Sequence, residues 1–476
     1  MSLNDRGTAA LRAALAPGLD AALGATAPVG NGPSTSTALL TDRYELTMLQ
    51  AALADGTAHR HCLFEVFTRR LPAGRRYGVL AGTGRVLEAL AAFRFSPHEL
   101  DWLHAHSVVD DRTLDYLAGY RFTGSINGYA EGEVFFPHSP VMVVEGTFAE
   151  AVVLETLVLS ILNYDSAIAS AASRMTSAAV DRPCLEMGAR RANEQAAVAA
   201  ARAAVVAGFA GTSNLEAGRR YGLETIGTAA HAFTLLHDDE ESAFASQVAS
   251  LGPGTTLLVD TYDVHRGVAN AVRAAGTGLG AVRLDSGDLG VLAVEVRRQL
   301  DSLGARDTRI TVTSDLDEYA IAALAAAPVD SYGVGTSLVT GSGAPTCGMV
   351  YKLVAREDAS GVLQPVAKAS TAKTSTGGRK VAARRYGDDG RAVEELVVTG
   401  ADLAVRDWDP DAEEGDVRPL HVPLVVDGAV DSRWVGSYGV QNAADRHRES
   451  RAELPRGARR LSAGDPAIPT VVRTLD

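Results

Sequence analysis

The sequence predicts an α/β protein in which an irregular (β/α) barrel-like domain of about seven strands joins a discontinuous mixed-sheet α+β domain. Between residues 182 and 337, short β-type runs alternate with helical stretches, which is typical of a parallel sheet with crossover helices. Polar residues stand at the carboxyl end of every run, where (β/α) barrels build their sites. The alternative is an open doubly wound sheet, which would collect its polar residues at one switch point.

The segment that precedes the barrel predicts one helix, at 41–53, and three strands of a mixed sheet. These strands lie at 62–70, 121–136 and 140–150. A long apolar helix, 151–175, then leads into the barrel.

Seven β-type runs form the predicted barrel. They occupy 182–191, 205–214, 223–231, 255–264, 280–288, 309–317 and 330–337. The runs are not copies of one another, so the rhythm is architectural and not a sequence repeat. After Lys352, strand-like segments return to the first sheet. We therefore expect a flexible N-terminal extension (1–38), a discontinuous mixed-sheet domain with a C-terminal tail (39–150 and 353–476) and a barrel domain (151–352).

Composition limits the partners and the compartment. The 476 residues include 45 Lys and Arg against 58 Asp and Glu, a net charge of −13, which argues against nucleic acid or an anionic membrane as a partner. The three cysteines are far apart, as in a protein of the reducing cytoplasm. No apolar run reaches the roughly 18 residues that a membrane span needs.

A glycine-rich loop, YGVGTSLVTGSG (332–343), follows the last β-type run. Gly333 and Gly335 allow backbone N–H groups to approach an anion, and Thr336 and Ser337 add hydroxyl donors. The loops after the final strands are the usual phosphate site of a barrel. We predict phosphate binding here; the alternative is a plain glycine turn.

Carboxylates follow two neighbouring runs. RLDSGD (283–288) contains Arg283, Asp285 and Asp288, and VDTYD (259–263) contains Asp260 and Asp263. Such a cluster can bind Mg²⁺ or the hydroxyls of a sugar, and the arginine suits an anionic substrate group. The alternative is a set of salt bridges and helix N-caps.

Three further segments contain candidate side chains. In EMGARRANEQ, Arg190 and Arg191 stand where a helix begins, and we expect only one to point inward. In IGTAAHAF, small neighbours leave His231 approachable, and neutral imidazole is a nucleophile near pH 7; a core histidine is the alternative. Tyr44 could stack on a heteroaromatic ring or simply pack on the surface.

Taken together, these motifs resemble those of the nicotinate phosphoribosyltransferase family. The similarity runs through TDRYELTM, FEVFTRRLP, EMGARRA, FAGTSNLEAG, IGTAAHAF, VDTYDV, RLDSGDL and GVGTSLVT, over roughly residues 40 to 353. It implies an enzyme that joins nicotinate to phosphoribosyl pyrophosphate, with coupled ATP hydrolysis, Mg²⁺, and active sites shared across a homodimer.

The resemblance also implies roles for individual residues. His231 matches a histidine that is transiently phosphorylated, and Arg190 matches an arginine of the substrate pocket. Thr228 and Arg283 match nicotinate-binding residues, and Tyr44 matches the tyrosine that stacks on the ring. Thr336 and Thr340 match the phosphoribosyl phosphate loop. We also expect Asp285 to favour the cationic sugar and, with Asp288, to hold Mg²⁺.

Two positions bear on the substrate. Relatives usually carry Phe where Met187 stands, and methionine can still pack against a ring face. Ser213 stands where nicotinamide-using relatives carry Asp, and a carboxylate substrate would be tolerated by Ser and repelled by Asp. The alternatives are a nicotinamide or quinolinate phosphoribosyltransferase, a non-catalytic nucleotide-binding barrel, or an unrelated sugar-phosphate aldolase or isomerase. The last would need a strand-end lysine, which these runs lack.

Overall fold

The computed structural model describes residues 36–72, 74–368, 376–400, 408–413 and 415–474. The first 35 residues of the predicted N-terminal extension therefore lie outside the described residues. The described chain is packed from its start, because the Thr37 hydroxyl donates to the Ala89 carbonyl at 2.6 Å and Ala38 is fully buried.

The described strands belong to four sheets. In chain order they are β1 (His61–Thr68), β2 (Gly78–Val79), β3 (Ser125–Tyr129), β4 (Val134–Phe135), β5 (Met142–Thr147), β6 (Cys184–Glu186), β7 (Gly211–Thr212), β8 (Thr256–Leu258), β9 (Ala281–Leu284), β10 (Arg309–Ser314), β11 (Ser331–Val334), β12 (Met349–Glu357), β13 (Leu363–Pro365), β14 (Arg379–Tyr386), β15 (Ala392–Gly400), β16 (Asp416–Pro419), β17 (His421–Val426), β18 (Ala429–Val430) and β19 (Thr470–Thr474).

The α-helices cover the sheets and connect the parallel strands. In chain order they are α1 (Arg43–Asp55), α2 (Thr83–Ala91), α3 (Pro97–Ala105), α4 (Asp111–Ala118), α5 (Phe148–Val152), α6 (Glu155–Ala179), α7 (Glu194–Val206), α8 (Leu215–Tyr221), α9 (His231–Leu235), α10 (Glu240–Leu251), α11 (Val264–Ala275), α12 (Leu289–Ser302), α13 (Glu318–Ala323), α14 (Thr336–Val339) and α15 (Gly436–Glu453). Within the described ranges, no helix has the length and apolar character that crossing a membrane requires.

Both ends of the described chain contribute to a seven-stranded sheet, in the order β13-β12-β1-β5-β3-β17-β18. All its neighbours pair antiparallel, whereas a mixed sheet was predicted for this region. The mixed pairing occurs in a separate four-stranded sheet, β16-β14-β15-β19, where only β15 and β19 run parallel. The strands β2 and β4 form a two-stranded ribbon.

The predicted α/β class is confirmed by a curled, half-barrel sheet of six parallel strands, in the order β7-β6-β11-β10-β9-β8. Six of the seven predicted runs supply these strands. The remaining run, 223–231, contributes a single parallel bridge between Thr212 and Thr225. Its sequence explains the short pairing, because Gly227 and the alanines beyond it offer little side-chain surface to a sheet.

Helix α6 joins the two main hydrophobic cores. Its first half, with Leu157 and Leu162, packs into the core of the antiparallel sheet, and its second half, with Ile168 and Met175, packs into that of the parallel sheet. Alanine and serine fill half of its buried positions, so neighbouring backbones approach closely. The helix therefore holds the parallel strands against the rest of the protein.

Buried ion pairs tie distant segments together. The guanidinium of Arg384 on β14 is fully buried and binds Glu133 at 2.8 Å, Glu395 at 2.7 Å and Glu453 at 3.2 Å. Nearby arginines, Arg384 first among them, hold the pKa of Glu133 down at about 2 against the effect of burial. Helix α15 is thereby anchored to the four-stranded sheet and to the residue that precedes β4.

Candidate active site

A cavity of about 310 Å³ opens at the carboxyl ends of the parallel strands. Nine of the residues singled out from the sequence line it: Met187, Arg190, Arg191, His231, Arg283, Asp285, Gly333, Gly335 and Thr336. They come from the ends of β9 and β11, from the loops after β6, β9 and β11, and from the starts of α9 and α14. Parallel strands end at the same edge of a sheet, which is why residues so far apart in sequence meet here.

Arg283, the third residue of β9, is the half-buried cation of the cavity. One of its terminal nitrogens donates to the Thr228 hydroxyl, and its Nε is buried and has no hydrogen-bond partner in the described parts of the chain. Burial lowers the pKa of the guanidinium, and Asp285 and Asp260 oppose that shift. Two predicted nicotinate-site residues, Thr228 and Arg283, are thus in contact, and an N–H donor is left for an anionic group.

Asp260 and Asp285 link three neighbouring strand ends. One carboxylate oxygen of Asp260 accepts from the backbone N–H of Asp285 and from the Ser286 hydroxyl, both at 2.8 Å. The other oxygen of Asp260 is buried and has no hydrogen-bond partner among the described residues. Asp285 in turn accepts from the hydroxyl of Thr313 on β10. The pair therefore forms a fixed acceptor group whose unsatisfied oxygen can take a hydroxyl or a cation.

His231 is the first residue of α9 and is half-buried. Its Nδ1 lies 3.1 Å from the hydroxyl of Thr261, which follows Asp260 after β8. The group that orients this ring is therefore a hydroxyl shortly after β8. No hydrogen bond is seen to Nε2 from the residues that the structure describes, so that nitrogen is available to a ligand.

Met187 and Gly333 form one wall of the cavity and pack closely against each other. A Cβ placed on Gly333 would lie 2.4 Å from the Thr313 methyl group and 2.8 Å from the Met187 sulfur. Next to them, the buried carboxylate of Glu186 accepts from the Gly188 N–H at 2.5 Å and from the Thr212 hydroxyl. Burial raises the pKa of Glu186. This side chain joins the ends of β6 and β7 beneath the cavity.

Arg190 and Arg191 both line the cavity, although only one of them was expected to point inward. They lie on a 3₁₀ turn (Ala189–Arg191), whose tighter winding differs from the α-helical turn assumed from the sequence. Three arginines and two aspartates line the cavity among the described residues, a balance that suits an anionic ligand.

Two residues of the predicted phosphate loop face elsewhere. Ser337 and Thr340 line a second cavity, of about 290 Å³, which shares Thr336 with the first. The Thr340 hydroxyl donates to the Thr336 carbonyl at 2.9 Å. Thr336 is therefore the residue of this loop that stands between the two cavities.

Asp288 is not among the lining residues of the cavity. It is the N-cap of α12, where its side chain accepts from the Val291 N–H at 3.2 Å, and Asp263 caps α11 in the same way. No cluster of three or more potential metal ligands occurs in the described parts of the chain. Mg²⁺ commonly takes only one or two carboxylates and completes its shell with substrate phosphates and water. Asp285 and Asp260 fit that requirement, since the two carboxylates lie at neighbouring strand ends, after β9 and β8.

Tyr44 and Ser213 also lie outside the lining of the cavity. Tyr44 is on α1, with 44% of its surface exposed, and burial together with Glu155 and Glu45 raises its pKa to about 12. Ser213 is exposed after β7, and its backbone N–H donates to the Glu186 carbonyl at 2.8 Å.

Sequence reasoning missed Thr261, Thr313, Ser314 and Asp315. The last three lie at the carboxyl end of β10, and all but Thr261 line the cavity. Ser314 has a φ of 153°, a conformation that L residues rarely adopt and that occurs most often at functional sites. The position of Thr313, Ser314 and Asp315 could have indicated their role, because VTSDLD (312–317) is a strand end like the others that were considered.

Comparison with known proteins gives consistent matches. The family model for the nicotinate phosphoribosyltransferase N-terminal domain matches residues 39–163. The chain is 57% identical over 440 residues to nicotinate phosphoribosyltransferase pncB1 of Mycobacterium tuberculosis, covering 91% of this chain and 94% of the relative. It is 40% identical over 355 residues to the Bacillus subtilis nicotinate phosphoribosyltransferase, covering 72% of each. The structure of human nicotinic acid phosphoribosyltransferase superposes with a TM-score of 0.76 at 25% identity, over 91% of this chain and 97% of that one.

Proposed function

The chain belongs to the nicotinate phosphoribosyltransferase family, and from this premise we propose that it forms nicotinate mononucleotide and pyrophosphate from nicotinate and phosphoribosyl pyrophosphate. The observation that carries the proposal is the convergence of Arg283, Asp285 and His231 on one cavity. The negative charge of nicotinate explains why three arginines line the cavity. Members of the family act in the salvage of pyridine nucleotides for NAD synthesis.

Nicotinate binding rests on Arg283 and Thr228. The unpartnered Nε of Arg283 is an N–H donor for the nicotinate carboxylate, while Thr228 holds the guanidinium in place. Met187 packs against one face of the ring, with its sulfur beside Gly333. Ser213 lies outside the cavity lining and adds no negative charge at the end of β7, in keeping with a preference for the acid over the amide.

Transfer of the sugar needs electrostatic help and no general base. Positive charge grows on the ribose as pyrophosphate leaves C1, and the ring nitrogen of nicotinate, which carries no proton near pH 7, forms the new bond. Asp285 favours the cationic sugar, and Arg190 binds the departing anion. Asp285 and Asp260 would hold Mg²⁺, whereas Asp288 caps α12 and would not bind the ion. When bound, the ion would stabilise the negative charge of the pyrophosphate.

Coupled ATP hydrolysis is assigned to His231. A ring nitrogen bonds to the γ-phosphorus of ATP, ADP departs, and water later removes the phosphoryl group from the phosphohistidine. Because Nδ1 contacts Thr261, Nε2 is the ring nitrogen that attacks ATP in this proposal. The negative charge added to the ring changes how Mg²⁺ and the nearby loops bind phosphoribosyl pyrophosphate.

A second copy of the chain completes the site in this proposal. Leu40, Tyr44 and Met48 are exposed on or beside α1, and Leu235 and Leu236 are exposed at the end of α9, next to His231. Apolar surface of this kind marks an interface. Pairing these surfaces in a homodimer would bring Tyr44 of the second copy to the nicotinate ring.

The glycine-rich loop after β11 binds the phosphoribosyl phosphate in this proposal. Its binding residues are Gly333, Gly335, Thr336, Ser337 and Thr340, and the first three lie at the cavity wall. The parallel strands and the run after Thr225 complete a barrel-like domain. The three cysteines are free and buried, which supports a reducing, cytoplasmic setting.

The test uses labelled nicotinate and phosphoribosyl pyrophosphate, with and without ATP, on the wild type, His231→Ala and the control His237→Ala. His237 follows α9 but does not line the cavity, and its Nδ1 contacts the Phe233 carbonyl at 2.9 Å. We expect product from the wild type, stimulation by ATP, and loss of that stimulation only in His231→Ala. Equal stimulation in all three proteins would remove the role of His231. A wild type that forms no nicotinate mononucleotide, or that prefers nicotinamide, would overturn the proposed activity.

A further inference from the structure

The chain after α14 makes a turn of three consecutive left-handed residues. Gly341, Ser342 and Gly343 have φ values of 62°, 51° and 80°. Glycine adopts this conformation readily, but serine does so at a cost in free energy. A turn of this kind therefore needs contacts that hold it in place.

Arg75 supplies the first contact. Its side chain is almost completely buried, with 6% exposed, and its two terminal nitrogens donate to the carbonyls of Gly341 and, at 3.2 Å, Ala167. No carboxylate lies within ion-pair distance of this guanidinium in the described parts of the chain. A buried cation that binds only carbonyl groups is costly, so it marks a position where these two carbonyls must be held.

Glu318, at the start of α13, supplies the second contact. One of its oxygens accepts from the Ser342 hydroxyl at 2.7 Å, and the other accepts from Nε of Arg174 at 2.9 Å. Glu318 and Arg174 are 3% and 7% exposed. The serine that adopts the unfavourable φ is therefore fixed by a buried ion pair.

These two contacts lie on the side of the loop away from the catalytic cavity. Arg75, Glu318 and Ser342 line the second cavity, and Thr336 lies between the two. We propose that Arg75, Glu318 and Ser342 are positioning residues that hold the 336–343 loop in the conformation that binds the phosphate of phosphoribosyl pyrophosphate. The proposal rests on the proposed function, since it deepens the role of that loop.

The test compares Ser342→Ala with Ser342→Gly, and uses Ser302→Ala as the matched control. Both variants at 342 lose the hydroxyl, but glycine also relieves the left-handed strain, so Ser342→Gly is expected to be the more stable of the two. The Ser302 hydroxyl is exposed and donates only to the Gln299 carbonyl at 2.7 Å. We expect the Kd and KM for phosphoribosyl pyrophosphate to rise about fivefold or more in both 342 variants, with the KM for nicotinate unchanged.

A merely structural role predicts a different pattern. Affinity would then follow stability, and Ser342→Gly would bind phosphoribosyl pyrophosphate as the wild type does; that result, or an unchanged Kd in both variants, would overturn the proposal. Because calorimetry measures the Kd without turnover, the outcome is separable from failure of the proposed activity, which shows as absence of nicotinate mononucleotide from the wild type.

Arg75→Lys gives a second, independent variant. Lysine keeps the charge but cannot bind two carbonyls with a planar fork, so we expect faster amide hydrogen exchange in residues 336–343 and a higher Kd for phosphoribosyl pyrophosphate. Wild-type exchange in this loop would contradict the role of Arg75. Should this variant fail to fold, the pair of variants at Ser342 decides the matter alone.

Discussion

Gly333→Ala is the substitution whose effect can be worked out most directly from the structure. The added methyl group would lie 2.4 Å from Cγ2 of Thr313 and 2.8 Å from the Met187 sulfur, whereas carbon atoms in contact stand about 3.5–4.0 Å apart. Thr313 must therefore move by roughly 1 Å, and overpacking of this size costs about 1–3 kcal/mol of unfolding free energy. The displaced threonine also holds Asp285, so we expect kcat/KM to fall about tenfold or more.

The assay is a double-mutant cycle with Thr313→Ser, measured by urea denaturation and by steady-state kinetics. Serine lacks the clashing Cγ2 but keeps the hydroxyl that donates to Asp285. Gly333→Ala combined with Thr313→Ser should therefore recover most of the lost stability and activity. Gly290→Ala is the control, because a Cβ there meets its nearest neighbour at an ordinary 3.6 Å. Additive effects in the cycle, with no recovery, would refute the reasoning.

Three other predictions concern single side chains. Burial lowers the pKa of His447 to about 3, so below pH 6.5 the unfolded chain binds a proton that the folded protein does not. The free energy of unfolding should therefore fall by roughly 2 kcal/mol between pH 6.5 and 5. In urea denaturation, His447→Gln should lack this part of the pH dependence. Thr261→Val should reduce the stimulation by ATP about fivefold in the labelled-nicotinate assay, because the ring of His231 loses its hydrogen-bond partner. Thr261→Ser keeps the hydroxyl and should keep the stimulation. Glu131→Gln leaves the buried Arg202 without a counter-charge and should cost about 3–5 kcal/mol in urea denaturation; a loss below 1 kcal/mol would contradict the pairing.

Much of the fold could be predicted because periodicity reports directly on burial. The parallel strands appeared as short β-type runs with polar ends, and the resemblance to nicotinate phosphoribosyltransferases is confirmed by relatives that match most of the chain. The antiparallel pairing of the first sheet could not be predicted, since β1 is buried at almost every position and therefore lacks the alternation that is typical of antiparallel strands.

The same limit applies to the site. Asp285 and Asp288 look alike in sequence, yet Asp288 caps a helix, because only the backbone geometry after β9 decides which carboxylate faces the N–H groups of α12. Thr261 was passed over since a hydroxyl beside two aspartates gives no signal of its own. Its role depends on a contact with His231 across 30 residues of chain, which sequence spacing does not reveal.

The buried guanidinium of Arg384 restricts how a gene for this protein could be divided. Its three carboxylate partners lie on both sides of it in the chain, Glu133 about 250 residues before it and Glu395 and Glu453 after it, so a fragment that lacks either end loses part of the cluster. The complete cluster can form only after the residues up to Glu453 have been synthesised. Split versions, and truncations that remove Glu453, should accordingly depend on chaperones or fall to proteases.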